Sequence, residues 1–424
     1  MNPEPLAIEP LTTAPDVTLR VPGSKSLTNR ALLAAALARG TSELTGVLDA
    51  DDTAAMLDVV RALGAGVEGD PAAGAVRVTG VAGALPASAV RLDARQSGTT
   101  GRFALGVTAA GRAPITVDGA VQLRSRPMTE GIRVLRSLGL DVREDGAAGH
   151  LPVTVTRGPA PGGALAVRAD VSSQFLSGML LVAPCLDAGL DLTIDGPVVS
   201  RPYLTLTVDV LEAFGASVAV RDDGFTVAPG GYTAAPYAVE GDASAASYFF
   251  AAAAVTGGRV RIEGLGTTSH QGDLAMVEVL AAMGADVTQG PDWTEVRGTG
   301  ALRAVDVDLR DLSDTVPTLA VVAACAEGTT TLDGIGFIRA KESDRIGAVV
   351  AQLRACGVDA TETPDGMRIV GGGRTPATIA THDDHRLAMA FSVLGLVSPG
   401  IVIDDPGCVA KSFPGFFALL DELR

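Results

Sequence analysis

Lysine is nearly missing from this 424-residue chain: Lys25, Lys341 and Lys411 stand alone against thirty arginines. A genomic preference for G and C would turn most surface cations into Arg. The lysines that survive mark either chance or places that need a compact ammonium with an adjustable pKa, and their neighbours must decide which. Cysteine is scarce too: Cys185, Cys325, Cys356 and Cys408 are scattered without a C-x-x-C pair. That excludes a zinc or redox framework and fits buried free thiols in a reducing compartment. No basic region followed by an apolar stretch opens the chain, and the longest apolar runs, such as Phe249 to Val255, are too short to span a bilayer. A cytoplasmic protein without a membrane partner is expected. Positive charge is also lacking overall, with a formal net charge of −16. Nucleic acid, which is held by clustered Lys and Arg, is therefore excluded as a partner. An anionic ligand would need positive charge concentrated locally.

What is present is a globular composition, 47% hydrophobic and 19% charged, long enough for two domains of roughly 200 residues. An internal repeat runs through it. Five helical stretches end in an apolar residue, Gly, two residues and a strand-like segment: Leu63-Gly64, Leu138-Gly139, Phe214-Gly215, Met283-Gly284 and Cys356-Gly357. The glycines lie 75, 76, 69 and 73 residues apart, and a sixth copy would begin at the C-terminal Phe416 to Leu423 helix. Glycine at such a stop supplies the left-handed cap that lets the chain reverse.

The first helix of each unit opens on a polar cluster and continues into Ala, Leu and Val. The six openings are Gly23-Ser24-Lys25-Ser26, Gln96-Ser97-Gly98-Thr99, Ser172-Ser173-Gln174, Gly241-Asp242-Ala243-Ser244, Ser313-Asp314-Thr315 and Asp383-Asp384-His385-Arg386. A helix apolar all round is a buried one. The expected fold is α/β: two similar domains, each of three βαβαββ-type units, with buried parallel helices wrapped by sheets and outer helices. Breaks at Val21-Pro22-Gly23 and from Pro229 to Pro236 place one domain at 23–235 and a discontinuous one at 1–22 plus 236–424. Were the halves to face each other, six helix N-termini would converge, each offering free N–H groups and partial positive charge to an anion. Ser and Asp are also ordinary N-caps, so one such cluster alone means little.

Other motifs are weighed the same way. Lys341-Glu342-Ser343-Asp344-Arg345 is either a solvated helix start or a charged site built on a rare lysine. The two His and two Asp of His382 to His385 lack a well-spaced third ligand and adjoin Arg386, so no metal is expected. Gly64-Ala65-Gly66-Val67-Glu68-Gly69 matches the dinucleotide fingerprint literally, but it follows a helix and precedes a strand, the reverse of what that fingerprint needs. No Gly-Lys pair exists, which removes the Walker motif.

Taken in order, the chain resembles the 5-enolpyruvylshikimate-3-phosphate synthase family of enolpyruvyl transferases. The resemblance is carried by Gly23 to Arg30, Ser97-Gly98-Thr99-Thr100 with Arg102, Arg126-Pro127-Met128, Ser172 to Phe175, Ser200-Arg201-Pro202-Tyr203, Gly241 to Ser244, Lys341 to Arg345, Asp384-His385-Arg386 and Lys411-Ser412-Phe413-Pro414. It implies two three-unit domains that close like a clamp, an inside-out α/β barrel in each. The implied reaction needs no cofactor: phosphoenolpyruvate gives its enolpyruvyl group to the 5-hydroxyl of shikimate 3-phosphate, releasing phosphate. By the same resemblance Lys25, Ser26, Arg30, Ser172, Ser173, Gln174, Ser200, Asp314 and Lys341 bind shikimate 3-phosphate. Lys25, Gly98, Arg126, Gln174, Arg345, Arg386 and Lys411 grip phosphoenolpyruvate. Asp314 is the candidate base and Glu342 the candidate acid, assisted by Lys25; a monomer is expected. Departures are Phe337 where many relatives carry Asn, Gln96 for Asn and Phe103 for Pro. Related transferases that act on a UDP-amino sugar use a loop cysteine, and Arg112 to Pro127 contains none. A dehydrogenase resting on the glycine match is the reading from another class.

Overall fold

The computed structural model describes residues 4–156, 162–168, 173–196 and 198–424. The chain forms an α/β fold with mixed sheets and divides into two compact units, Gly23–Val239 and Met1–Pro22 with Glu240–Arg424. The second crossing falls four residues later than Pro-rich punctuation indicates. Tyr237–Ala238 forms a short strand that pairs parallel with Leu44 and Thr45, which keeps it with the first unit.

One repeated unit shows how the sequence builds the rest. Strand Val90–Asp93 leads into helix Gly98–Val107 and a parallel neighbour, Ile115–Asp118. Helix Thr129–Ser137 follows, then Asp141–Glu144 and Val153–Thr156, which close the sheet antiparallel. Five sheets share this strand order, each opened by a parallel pair. Two of their outer strands are exchanged along the chain: Tyr237–Ala238 serves the sheet of Thr41–Thr45, and Asp16–Leu19 that of Arg259–Glu263. The sixth sheet has Ala377–Ile379 parallel to Ile401–Ile403, and Leu6–Ile8 antiparallel on its other side. The strand missing from the sixth copy is thus supplied by the start of the chain.

The repeat glycines do what their position demands. Gly64, Gly139, Gly215, Gly284 and Gly357 have φ of 98°, 81°, 78°, 112° and 76°, a conformation that costs a side-chain-bearing residue stability. The fingerprint-like Gly64 to Gly69 follows helix Asp51–Ala62 and runs into strand Gly66–Asp70, so it caps a helix rather than opening one.

The first helix of each unit is the buried one. All of Leu27 to Leu37 in helix Lys25–Leu37 is buried, as is every residue of Gly98–Val107, Val316–Ala324 and His385–Gly395. Where helices Gly98–Val107 and Ser173–Val182 cross, a Cβ on Gly106 would sit 2.6 Å from the Gly178 carbonyl oxygen. Gly106→Ala is accordingly expected to cost roughly 1–3 kcal/mol by overpacking, read as a lower urea midpoint with unchanged slope. Of the cysteines only Cys356 is buried; the other three are half-buried, and burial pushes the Cys185 thiol up to about 11 and Cys408 to about 12. No described helix is long and apolar enough to cross a membrane.

Candidate active site

The polar helix openings are where unusual chemistry gathers. Ser24, Ser97, Asp242 and Asp384 each cap their helix by accepting a backbone N–H, which fixes the opening turn. Three of the five non-glycine residues with left-handed backbone among the described residues are Ser200, His382 and Asp383, and the last two directly precede this cap at Asp384. Such conformations persist only where the surroundings impose them.

In the unit Gly23–Val239, Lys25 starts its helix with Nζ 3.2 Å from buried Asp52. One turn on, Arg30 is 1% exposed. It donates to the Thr207 hydroxyl at 2.8 Å, the Ser177 hydroxyl at 3.1 Å and the carbonyls of Ser26 and Tyr203 at 2.9 and 3.1 Å. Its guanidinium lies over the Phe103 ring at 5.1 Å and the Tyr203 ring at 5.9 Å. Phe103, a departure when read in sequence, is here the floor under a buried cation. No carboxylate pairs with Arg30 among the described residues, and burial pulls its pKa down to about 10.

The second opening carries two more arginines. A Cβ on Gly98 would meet Arg126 Nη1 at 2.5 Å and Arg102 Nη1 at 2.9 Å, so both guanidinium groups crowd the first turn of that helix. Arg102 donates to Gln174 Oε1 at 2.8 Å, and Gln174 Nε2 donates to the Thr99 hydroxyl at 3.2 Å. Arg102 thus links the second and third openings. Ser173 is buried at the third, and Ser200 is buried nearby in sequence at φ 56°. Ser172 lies outside the described residues.

In the other unit an ionic network ties two openings to the Lys341 motif. Asp314 accepts from Arg386 Nη2 at 2.6 Å, Arg345 Nη1 at 3.1 Å and Lys341 Nζ at 3.4 Å. Arg345, 1% exposed, also donates to Glu342 at 2.7 Å and to Asp384 at 2.8 Å. Burial opposes its charge, but Asp384, Glu342 and Asp314 more than offset that and hold its pKa above the ordinary value. Arg386 also reaches the Tyr248 hydroxyl at 3.5 Å. Lys411 ends the turn Pro406–Lys411 and is 5% exposed; burial and the Asp405 charge push the Asp383 carboxyl up, and the Lys411 charge restrains that rise. All three lysines therefore stand beside carboxylates in structured turns or helix starts.

A family model described as EPSP synthase (3-phosphoshikimate 1-carboxyvinyltransferase) matches residues 13–420. The chain belongs to the EPSP synthase family. It is 42% identical to the 3-phosphoshikimate 1-carboxyvinyltransferase of Nostoc sp., over 97% of each chain, and 42% identical to that of Thiobacillus denitrificans, over 96% of each. Among solved structures, an EPSP synthase from Acinetobacter baumannii superposes with a TM-score of 0.83 at 31% identity, covering 99% of this chain and 98% of its own. The enolpyruvyl transferase NikO from Streptomyces tendae shares the fold, with a TM-score of 0.77 at 19% identity, covering 100% of this chain and 97% of its own.

Within this EPSP synthase family member, the structure joins Asp314, Lys341, Glu342, Arg345 and Arg386 in one network, and separately Gly98, Arg126 and Gln174 around Arg102. Sequence reasoning gave no role to Arg102, Asp384, Asp52 or Phe103. The first was legible as a cation four residues after Gly98, on the same helix face. The Arg345–Asp384 contact bridges 39 residues, and no local pattern announces it.

Proposed function

We propose that this chain transfers the enolpyruvyl group of phosphoenolpyruvate to the 5-hydroxyl of shikimate 3-phosphate and releases phosphate, in the cytoplasmic route to aromatic amino acids, acting as a monomer without metal or organic cofactor. The observation that carries the site assignment is the Asp314 carboxylate held by three cations at the opening of a buried helix. Two anionic substrates require such a density of cations, and the addition requires a base among them.

In this reading Ser172, Ser173 and Ser200 hold the shikimate phosphate, with Gln174 beside them. Lys25, Ser26, Arg30, Asp314 and Lys341 address its ring and carboxylate, the buried charge of Arg30 drawing the anion in. Lys25, Gly98, Arg126, Gln174, Arg345, Arg386 and Lys411 bind phosphoenolpyruvate. Guanidinium pairs match carboxylate and phosphate geometry. Asp314 takes the proton of the 5-hydroxyl as its oxygen bonds to C2 of phosphoenolpyruvate, while Glu342, aided by Lys25, protonates the methylene. Proton flow then reverses: a methyl proton is removed, the double bond re-forms and phosphate leaves. The finer architecture proposed for each unit is the inside-out α/β barrel, its three buried helices within a wrap of sheets.

The test is phosphate release with shikimate 3-phosphate and phosphoenolpyruvate together and with each alone. Release is expected from the pair alone, and release with a UDP-amino sugar in place of shikimate 3-phosphate would overturn the proposal. A second prediction concerns the anion pocket. Gly98→Ala forces the Arg126 and Arg102 guanidinium groups off the helix opening, so KM for phosphoenolpyruvate should rise about tenfold with kcat nearly unchanged, the signature of lost uniform binding. Initial rates across phosphoenolpyruvate concentration check it.

A further inference from the structure

Asp273 belongs to none of the assigned motifs. It lies in the short turn Gly272–Ala275 and is 4% exposed. The Ser244 hydroxyl, from the first turn of helix Ala243–Thr256, donates to its Oδ2. One turn further along that helix the Tyr248 hydroxyl meets Arg386 at 3.5 Å, and Arg386 donates to Asp314 at 2.6 Å, so the charges of Asp314 and Arg386, with that of Asp242, reach Asp273 from three helix openings.

We propose that Asp273 is a positioning residue for proton transfer at Asp314: its buried negative charge opposes the field of Lys341, Arg345 and Arg386 and keeps Asp314 basic enough to accept the hydroxyl proton. This rests on Asp314 being the base. Each cation beside a carboxylate favours its ionised form and so weakens it as a base. A second carboxylate nearby in a poorly solvated site acts in the opposite sense. Arg386 bonds Asp314 at 2.6 Å and its charge is also felt at Asp273, so the Asp273 charge offsets part of what that guanidinium exerts on Asp314. Burial first, and the Asp314 charge second, push Asp273 up to about 6, with Arg386 and Ser244 restraining the rise. The opposing charge is therefore present above that pH and lost below it. The two carboxylates interact, so the inflexion belongs to the pair.

The experiment is the pH dependence of kcat/KM for wild type and Asp273→Asn, from about pH 5 to about pH 8.5. Substrate phosphates titrate near 6 as well, so the quantity read is the ratio of variant to wild type at each pH, in which the substrates cancel. The ratio is expected to be about 0.1 at the alkaline end and to climb towards 1 as pH falls below about 6, where wild type has lost the same charge. Ser244→Ala removes a hydrogen bond that holds the Asp273 pKa down, so its inflexion should move to higher pH. A ratio that stays flat across pH, whether low or near 1, would overturn the proposal. Should Asp273→Asn fail to fold by circular dichroism, Ser244→Ala decides, and an unmoved inflexion there counts against the idea. Asp314→Ala assayed in parallel separates failure of this inference from failure of the base assignment, which near-normal turnover would remove.

Discussion

Asp314→Ala is expected to lower kcat by roughly 10²-fold or more while KM for phosphoenolpyruvate holds or falls. The sign of the binding effect is the informative part. Asp314 occupies donors of Lys341, Arg345 and Arg386. Removing it returns those donors to the anionic substrates, so a role in catalysis predicts tighter or equal binding with lost turnover. A role confined to holding the cations in place predicts the reverse, a raised KM with kcat retained. Steady-state kinetics with either substrate varied distinguishes the two, and turnover near that of wild type would take Asp314 out of the mechanism.

Arg345→Leu is expected to destabilise the second unit by about 3–5 kcal/mol. Arg345 is the arginine paired with Asp384 among the described residues, with the His385 ring 3.8 Å away, and that carboxylate is 0% exposed. Deleting the guanidinium leaves the buried Asp384 carboxyl without its arginine partner, while Glu342 and Asp314 each lose a donor. Asp384→Asn in the same chain removes the stranded charge, so the double variant is expected to be more stable than Arg345→Leu alone. A double-mutant cycle in urea would show this as a coupling energy, and additive losses would mean the pair contributes no more than its separate contacts.

What could be read from sequence was whatever a local pattern enforces. A helix reversal needs a residue at positive φ, so Gly64, Gly139 and their counterparts print the repeat onto the chain. A helix opening needs an acceptor for its free N–H groups, so Ser24, Ser97, Asp242 and Asp384 announce where buried helices start. The rarity of lysine singles out three positions, each of which the structure sets beside a carboxylate: Asp52, Asp314 and Asp383. The hidden parts are those set by contacts distant in sequence. Tyr237–Ala238 is too short to show a strand pattern, and only its partner at Leu44 and Thr45 defines it. Arg30 read as a substrate ligand beside Lys25, and its enclosure by Ser177, Tyr203 and Thr207 depends on partners 147, 173 and 177 residues away. Asp273 sits in a turn with no periodicity, and only its neighbours give it chemical meaning.

Leu6–Ile8 and Asp16–Leu19 pair with strands whose residues lie beyond 250 in sequence. During synthesis these first segments leave the ribosome well before their partners exist. At 5–20 residues per second, the nearly 400 residues from Leu6 to Ile403 take roughly 20–80 s. In that interval Gly23–Val239 has every strand of its own sheets and can finish folding, while Leu6–Ile8 waits with unsatisfied backbone. Leu6–Ile8 is thus made long before the strand that uses it. A slow folding phase should therefore belong to the second unit, and a circular permutant that moves residues 1–22 to the C-terminal end should shorten it.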